Sequence, residues 1–219
     1  MSRRISNEPA AMKPPLFIET YEEVFAPLAD RPVRLLELGI HEGGSLLQWQ
    51  DHFPEGIIAG LDIRPVSLES SDRIRVYQGR QEDTDLLDRI AAEVAPEGFD
   101  IIIDDCSHLA EYTRISFRHL FDRHLKPGGI YVIEDWGTGF WASWPDGEKY
   151  TGSNHLAGMV GFIKELVDEC GRSDMTDPFA DPRETIAPAH SRFSHMRISL
   201  GQVFVFKAAA GNGASGPSS

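Results

Sequence analysis

Two short stretches concentrate the side chains able to do chemistry. FDIIIDDCSH ends an apolar run in Asp104, Asp105, Ser107 and His108, and GIYVIEDWGTGFW ends another in Glu134 and Asp135. With both runs as neighbouring strands of one sheet, four carboxylates and an imidazole reach the same edge, where like charges disfavour joint ionisation. A hard divalent cation resolves that conflict, and Mg2+ takes oxygen ligands in octahedral array with room for water and substrate. Successive residues at a strand end point in different directions, so Asp104 can face a cofactor while Asp105 turns to the metal. The plainer alternative is that these acids cap the next helix or solvate the strand ends. His108 lies three residues beyond Asp105, and histidine as a residue type, with an ordinary pKa near ~6.5, is suited to take a proton at neutral pH. A surface or capping role at the start of HLAEYTRISFRHLFDRHL is its alternative; His41, His119, His124, His190 and His195 have no comparable setting.

A second constellation fits a nucleoside-bearing ligand. In VRLLELGIHEGGSLLQW, Glu37 and Gly39 close an apolar run, Gly43 and Gly44 permit close backbone approach and Ser45 starts a helical pattern. Asp62 closes the next run, where an acidic residue accepts hydrogen bonds from the ribose hydroxyls in doubly wound sheets. A nicotinamide site would share that acid, but the glycines read GxxxGG rather than GxGxxG, and Glu37 would repel a pyrophosphate while suiting an ammonium group. S-adenosylmethionine, whose methionine end carries an ammonium and a sulfonium, is the expected cofactor. Gln81, in GRQEDTDLL, offers an amide for the adenine edge, and Asp83 beside it reads equally well as a helix cap.

Positioning these groups takes a sheet whose strand ends meet. Strand candidates at 33–39, 57–63, 74–79, 99–105 and 129–135 are almost continuously apolar, and amphipathic segments fall near 18–30, 44–53, 83–95, 108–125 and 154–170. HMRISL and QVFVFKA, separated by Gly201, close the pattern as a hairpin. The expectation is an α/β fold, a Rossmann-like doubly wound seven-stranded methyltransferase sheet, mostly parallel with a C-terminal antiparallel hairpin, whose ligands collect at the carboxyl ends of the strands. Residues 1–15 read as a flexible segment, 16–208 as one domain and 209–219 as a disordered Gly/Ser-rich tail. A net charge of −13, from 21 Lys plus Arg against 34 Asp plus Glu, disfavours nucleic-acid and anionic-membrane partners. Cys106 and Cys170 lie far apart and outside any CxxC or Cys/His spacing, so neither a disulfide framework nor a zinc site is indicated. No apolar run has membrane length, and a reducing cytoplasm is the expected setting.

Together these stretches resemble the metal-dependent sugar O-methyltransferases of polyketide and macrolide glycoside biosynthesis, over about residues 17–208. The most specific part is IIIDDCSHLAEYTRISFRHLF followed by LKPGGIYVIEDWGTGFW, similar to that family's DDGSH, Ser-Phe-bearing helix, LKPGG and YVIED with aromatics after it. The resemblance implies Asp105, Glu134 and Asp135 as metal ligands, His108 as general base, and Asp104, Glu37, Gly39, Ser45, Asp62 and Gln81 as the cofactor shell. The chain departs at Cys106, where the family commonly has Gly, and at His41, where the wider methyltransferase class often has Gly. The implied reaction is methyl transfer to a sugar hydroxyl of a glycoside or oligosaccharide, methylated mannosides included, with S-adenosylmethionine and Mg2+. A catechol or other phenol chelates Mg2+ in much the same way and is the alternative acceptor; a non-catalytic cofactor-binding protein is the alternative from another class. Trp136, Trp141, Trp144 and Tyr150 after Asp135 offer flat faces to a sugar, and FIETYEEVFAPLAD is placed to close the opposite side. A homodimer or higher homo-oligomer stays open.

Overall fold

The structure, a computed structural model, describes residues 13–150, 154–172 and 192–209. Val-, Ile- and Leu-rich runs bounded by Gly or Asp become β1 (Arg34–Leu38), β2 (Ile57–Asp62), β3 (Ile74–Gln78), β4 (Phe99–Asp104) and β5 (Leu125–Glu134). β6 (Phe193–Ile198) and β7 (Gln202–Lys207) form the expected hairpin, turning at Gly201 with φ 79°. Among the described residues the strands make one seven-stranded sheet in the order β3-β2-β1-β4-β5-β7-β6. The first five run parallel, and β7 is antiparallel to both its neighbours. Strand order reverses between β1 and β4, which opens a crevice at their carboxyl ends.

The helices are α1 (Pro15–Phe25), α2 (Gly44–His52), α3 (Thr84–Val94), α4 (Ala110–Arg123), α5 (Pro145–Lys149) and α6 (Gly158–Arg172). Asp83 caps α3 by accepting the Leu86 N–H at 3.0 Å, and Leu86, Leu87, Ile90, Ala91 and Val94 form its buried stripe. One sheet face buries Leu35, Ile103, Val132 and Phe204 under Tyr21, Phe25 and Trp49 of α1 and α2. The other buries Leu36, Ile102 and Tyr131 under Leu87, Phe117 and Phe162 of α3, α4 and α6. This alternation decides which way each acid at a strand end points.

Three details differ from expectation. β5 begins at Leu125, four residues before the expected start, because Leu125 already pairs with Phe99 and Lys126 to Gly129 then bulge out of the pairing with β4, Gly128 with φ 76°. The stretch after Asp135, read as loop, folds into a 3-10 turn at Trp136–Phe140 and the short α5. Residues 1–12 and 210–219, most of the segments read as flexible or disordered, lie outside the described residues. Pro15, grouped with the first of them, opens α1, and the Lys13 side chain is only 7% exposed. No helix among the described residues is long and apolar enough to cross a membrane.

Candidate active site

Register does the positioning. Leu38 pairs with Asp104 and Asp104 with Ile133, so the ends of β1, β4 and β5 are level. Glu37, Asp105 and Glu134 then gather on the α1 face, with one ligand atom from each within 4.8 Å of the others. Into this cage comes Lys13 from the turn before α1. Its Nζ lies 2.6 Å from Glu134 Oε1, 3.0 Å from Asp105 Oδ2 and 3.3 Å from Glu37 Oε1. Tyr21 of α1 donates its hydroxyl to the same Glu134 Oε1 at 2.5 Å. Glu37 Oε2 accepts from Ser45 Oγ at 2.6 Å and Trp49 Nε1 at 3.1 Å. Glu37 Oε1 is buried with no hydrogen-bond donor aligned on it, although Lys13 stands within ion-pair distance. The Lys13 ammonium faces that oxygen, which marks it as a position suited to an ammonium group.

Electrostatics follow from burial. Loss of solvent raises the Glu37 carboxyl above its ordinary range and lifts Asp105 to about 6 and Glu134 to about 7, against the counter-pull of Lys13. Burial alone would depress the Lys13 ammonium, but Glu134, Glu37 and Asp105 together hold it well above its usual value.

On the outer side, Asp105, His108 and Asp135 form a second group whose ligand atoms also lie within 4.8 Å of one another. His108 Nε2 is 3.9 Å from Asp105 Oδ1 and 3.8 Å from Asp135 Oδ2. Asp105 belongs to both groups, so the three carboxylates of Asp105, Glu134 and Asp135 form a continuous hard-oxygen set with an imidazole at its edge. His108 and Asp135 sit in the left-handed region with φ 53° and 51°, as does His41 with φ 49°. Side chains other than glycine rarely adopt that region, and they do so mostly at functional sites. The conformation of His41 accounts for the Gly often found there in the wider class. Cys106 has no positive φ, so its departure from Gly puts no strain into the turn before His108.

That turn is held from three sides. Ser107 Oγ accepts the Leu109 N–H at 3.2 Å, Trp144 Nε1 donates to the His108 carbonyl at 3.3 Å, and the buried Asp146 accepts the Ala110 N–H at 2.7 Å. The Trp144 ring lies 6.3 Å from the His108 ring, centroid to centroid.

A cavity of about 640 Å³ opens beside the carboxylates, and Gly39, His41, Asp62, Gln81, Asp105 and Ser107 are among its lining residues. Asp62 Oδ2 accepts the N–H groups of Ile40 at 3.1 Å and His41 at 2.9 Å, and Oδ1 accepts that of Arg64 at 2.9 Å. Asp62 therefore pins the glycine-rich turn while facing the cavity, with acceptor capacity left on Oδ1. Gly39 permits a close approach: with φ 83°, a Cβ there would lie 2.1 Å from the Asp105 carbonyl oxygen.

No family model matches the sequence. The chain is 39% identical over 177 residues to mycinamicin VI 2''-O-methyltransferase of Micromonospora griseorubida, which covers 76% of this chain and 42% of that protein. Demethylmacrocin O-methyltransferase of Streptomyces fradiae is 39% identical over 168 residues, 74% of this chain and 41% of that protein. A solved methyltransferase from the mycinamycin biosynthetic pathway, in complex with Mg and SAH, matches with a TM-score of 0.75 at 34% identity, over 90% of this chain and 51% of that one. The chain is a homologue of glycoside O-methyltransferases. It spans about half the length of the relatives it matches, and its sheet has the methyltransferase fold of the mycinamycin-pathway protein.

In this methyltransferase homologue Asp105 is grouped with Glu37 and Glu134 on one side and with His108 and Asp135 on the other, while Gly39, Asp62 and Gln81 line the cavity and Glu37 is fully buried. Asp104 is a correction. Expected to face the cofactor, it points to the α4 face at 2% exposure and accepts from Ser116 Oγ at 2.9 Å and the Tyr131 hydroxyl at 3.0 Å. Strand alternation forces this once Asp105 takes the α1 face, and Asp104 meets the cavity lining through Gln81, whose Nε2 lies 3.3 Å from its Oδ1, and through the Cys106 backbone. Gln81 Oε1 in turn accepts the Ser107 N–H at 3.0 Å. Ser45 likewise serves Glu37. Sequence reasoning missed Lys13, which precedes the first periodic segment, and Asp146, whose partner lies 36 residues upstream. The segment expected to close the opposite side forms α1, whose Tyr21 reaches Glu134.

Proposed function

We propose that this chain is an S-adenosylmethionine-dependent O-methyltransferase that uses Mg2+ to methylate a sugar hydroxyl of a glycoside or oligosaccharide. The observation that carries this reading is the meeting of Asp105, Glu134, Asp135 and His108 at one sheet edge, beside a cavity lined by Gly39 and Asp62. Three relatives have names that specify rhamnosyl or olivosyl acceptors, which favours a sugar over a catechol or phenol. The complete set of carboxylates and imidazole speaks against a protein that only binds cofactor.

In this reading Glu37 Oε1 takes the cofactor's ammonium, Asp62 its ribose hydroxyls and Gln81 its base edge, while Asp105, Glu134 and Asp135 hold the metal. When bound, Mg2+ supplies charge that acidifies a coordinated hydroxyl, and S-adenosylmethionine supplies the activated methyl group. His108 Nε2 accepts the acceptor's proton as the oxygen–methyl bond forms and the methyl–sulfur bond breaks, its electron pair staying on sulfur. Ser107, Trp144 and Asp146 fix the direction of that nitrogen through the turn they clamp. Phe140 and Trp141, 51% and 58% exposed in the segment after Asp135, present flat apolar faces on which the C–H groups of a sugar ring pack.

Chelation tests the metal: EDTA abolishes turnover and added Mg2+ restores it, whereas full activity in chelator rejects the metal reading. The cofactor assignment rests on a different residue. Asp62→Ala is expected to weaken S-adenosylhomocysteine binding by at least ~10-fold, since hydrogen bonds to a charged acceptor are each worth ~1.5–3 kcal/mol. The Ile40 and His41 amides lose their anchor in the same variant. Calorimetry showing unchanged affinity would remove Asp62 from the cofactor site.

A further inference from the structure

At the far end of α4 from the base-bearing turn, three side chains that the sequence scatters converge on one point. Asp88 of α3 places Oδ1 2.6 Å from His119 Nε2 and 2.6 Å from His124 Nε2, and the two imidazole rings lie 5.4 Å apart. His119 and His124 are five positions apart, which on a continuous helix would set them about 140° apart around the axis and on different faces. They meet because α4 ends at Arg123: His124 leaves the helix with φ −122° and ψ −5°, and its ring turns back toward Asp88. The imidazoles are 11% and 20% exposed and the carboxylate 45%, so the cluster is walled on the histidine side and open to solvent beyond Asp88.

Two imidazole nitrogens and one carboxylate oxygen, all within 4.8 Å of one another, form a mixed nitrogen–oxygen donor set. Imidazole suits Zn2+, Ni2+ or Cu2+, whereas Mg2+ asks for oxygen alone. We propose that Asp88, His119 and His124 bind a divalent transition-metal ion of the Zn2+ class, clipping α3 to α4 with a solvent-facing position left for water. This site is separate from the carboxylate set at the strand ends and does not depend on the proposed activity. Without metal, each Nε2–H donates to the one Asp88 oxygen, which has two lone pairs for them. Loading moves each proton from Nε2 to Nδ1 of the same ring, frees both Nε2 lone pairs and releases no proton. Zn–N and Zn–O bonds of ~2.0–2.2 Å in tetrahedral array need the donor atoms about 3.3 Å apart, a small opening for side chains at the end of a helix.

The test uses protein saturated with Mg2+, so that the carboxylate set is occupied, and titrates ZnCl2 by calorimetry. The wild type takes up one more Zn2+ per chain than the His119→Gln/His124→Gln double variant, and its melting temperature rises with Zn2+ while that of the variant does not. Each single variant binds Zn2+ at least ~10-fold more weakly, the least that losing a direct ligand should cost when loss of an outer partner already costs 10–100-fold. Glutamine keeps an N–H donor for Asp88, so the fold survives, and equal melting temperatures in EDTA verify it. Asp88→Asn supplies an independent variant. The Co2+ spectrum of the wild type, which needs no variant, shows intense tetrahedral bands. Equal Zn2+ uptake by wild type and double variant, or a Co2+ spectrum of octahedral type, would overturn the proposal and leave a hydrogen-bonded triad.

Discussion

His108→Ala is expected to lose ~10²–10⁴-fold of kcat, the usual contribution of a general base, while affinity for S-adenosylhomocysteine stays nearly unchanged. The separation is geometric. His108 Nε2 stands 3.9 Å from Asp105 and 3.8 Å from Asp135, at the outer edge of the carboxylate set. The groups assigned to the cofactor, Glu37 and Asp62, come from the first two strands. The low-pH limb of the rate profile should move in the variant, which loss of packing alone would not produce, while the part set by Asp105 and Glu134, raised to about 6 and about 7, remains. A variant with near-normal kcat and an unchanged limb in saturating Mg2+ would show that metal alone activates the hydroxyl, and would reduce His108 to a residue of the turn before α4.

Lys13→Met is expected to cost about 3–5 kcal/mol of stability in metal-free protein, the range found when one partner is removed from a buried ion cluster. Lys13 is 7% exposed and is the cation set among Glu37, Asp105 and Glu134. Methionine keeps the length of the stem and removes only the charge, leaving those carboxylates to repel one another or to bind protons. Denaturant melts in EDTA measure the loss. Added Mg2+ should then raise the melting temperature of the variant more than that of the wild type, because it supplies the missing positive charge. Equal stability of the two proteins in EDTA would show that the cage does not need this ammonium.

The sheet was legible because its parallel strands are buried on both faces and read as apolar runs, and the acids closing those runs are adjacent in sequence. Asp105, His108, Glu134 and Asp135 could therefore be grouped before any coordinates. The side to which each acid points was not legible. Asp104 and Asp105 are consecutive, and the phase of the alternation depends on packing: Ile103 and Val132 lie under α1 and α2, Ile102 and Tyr131 under α4. The start of β5 was hidden by Pro127, Gly128 and Gly129, which read as a turn and do bulge out of the pairing with β4, Gly128 with φ 76°, inside a strand that starts at Leu125. Lys13, Asp146 and the Asp88 cluster stayed invisible for a shared reason: each acts on partners 24 or more residues away, and no local pattern records such a meeting.

Asp146 gives the site a mechanical property. The first turn of a helix leaves amide groups that must find partners, and α4 takes one of its partners from the segment that follows the fifth strand, not from its own preceding residues. Trp144, two residues before Asp146, grips the carbonyl of His108 from the same segment. Lifting that segment to admit a bulky acceptor or release a product would uncap α4 and let go of the His108 backbone in one motion. In the proposed reaction, an open segment and a correctly aimed imidazole would thus exclude one another, and proton transfer would require the segment in place.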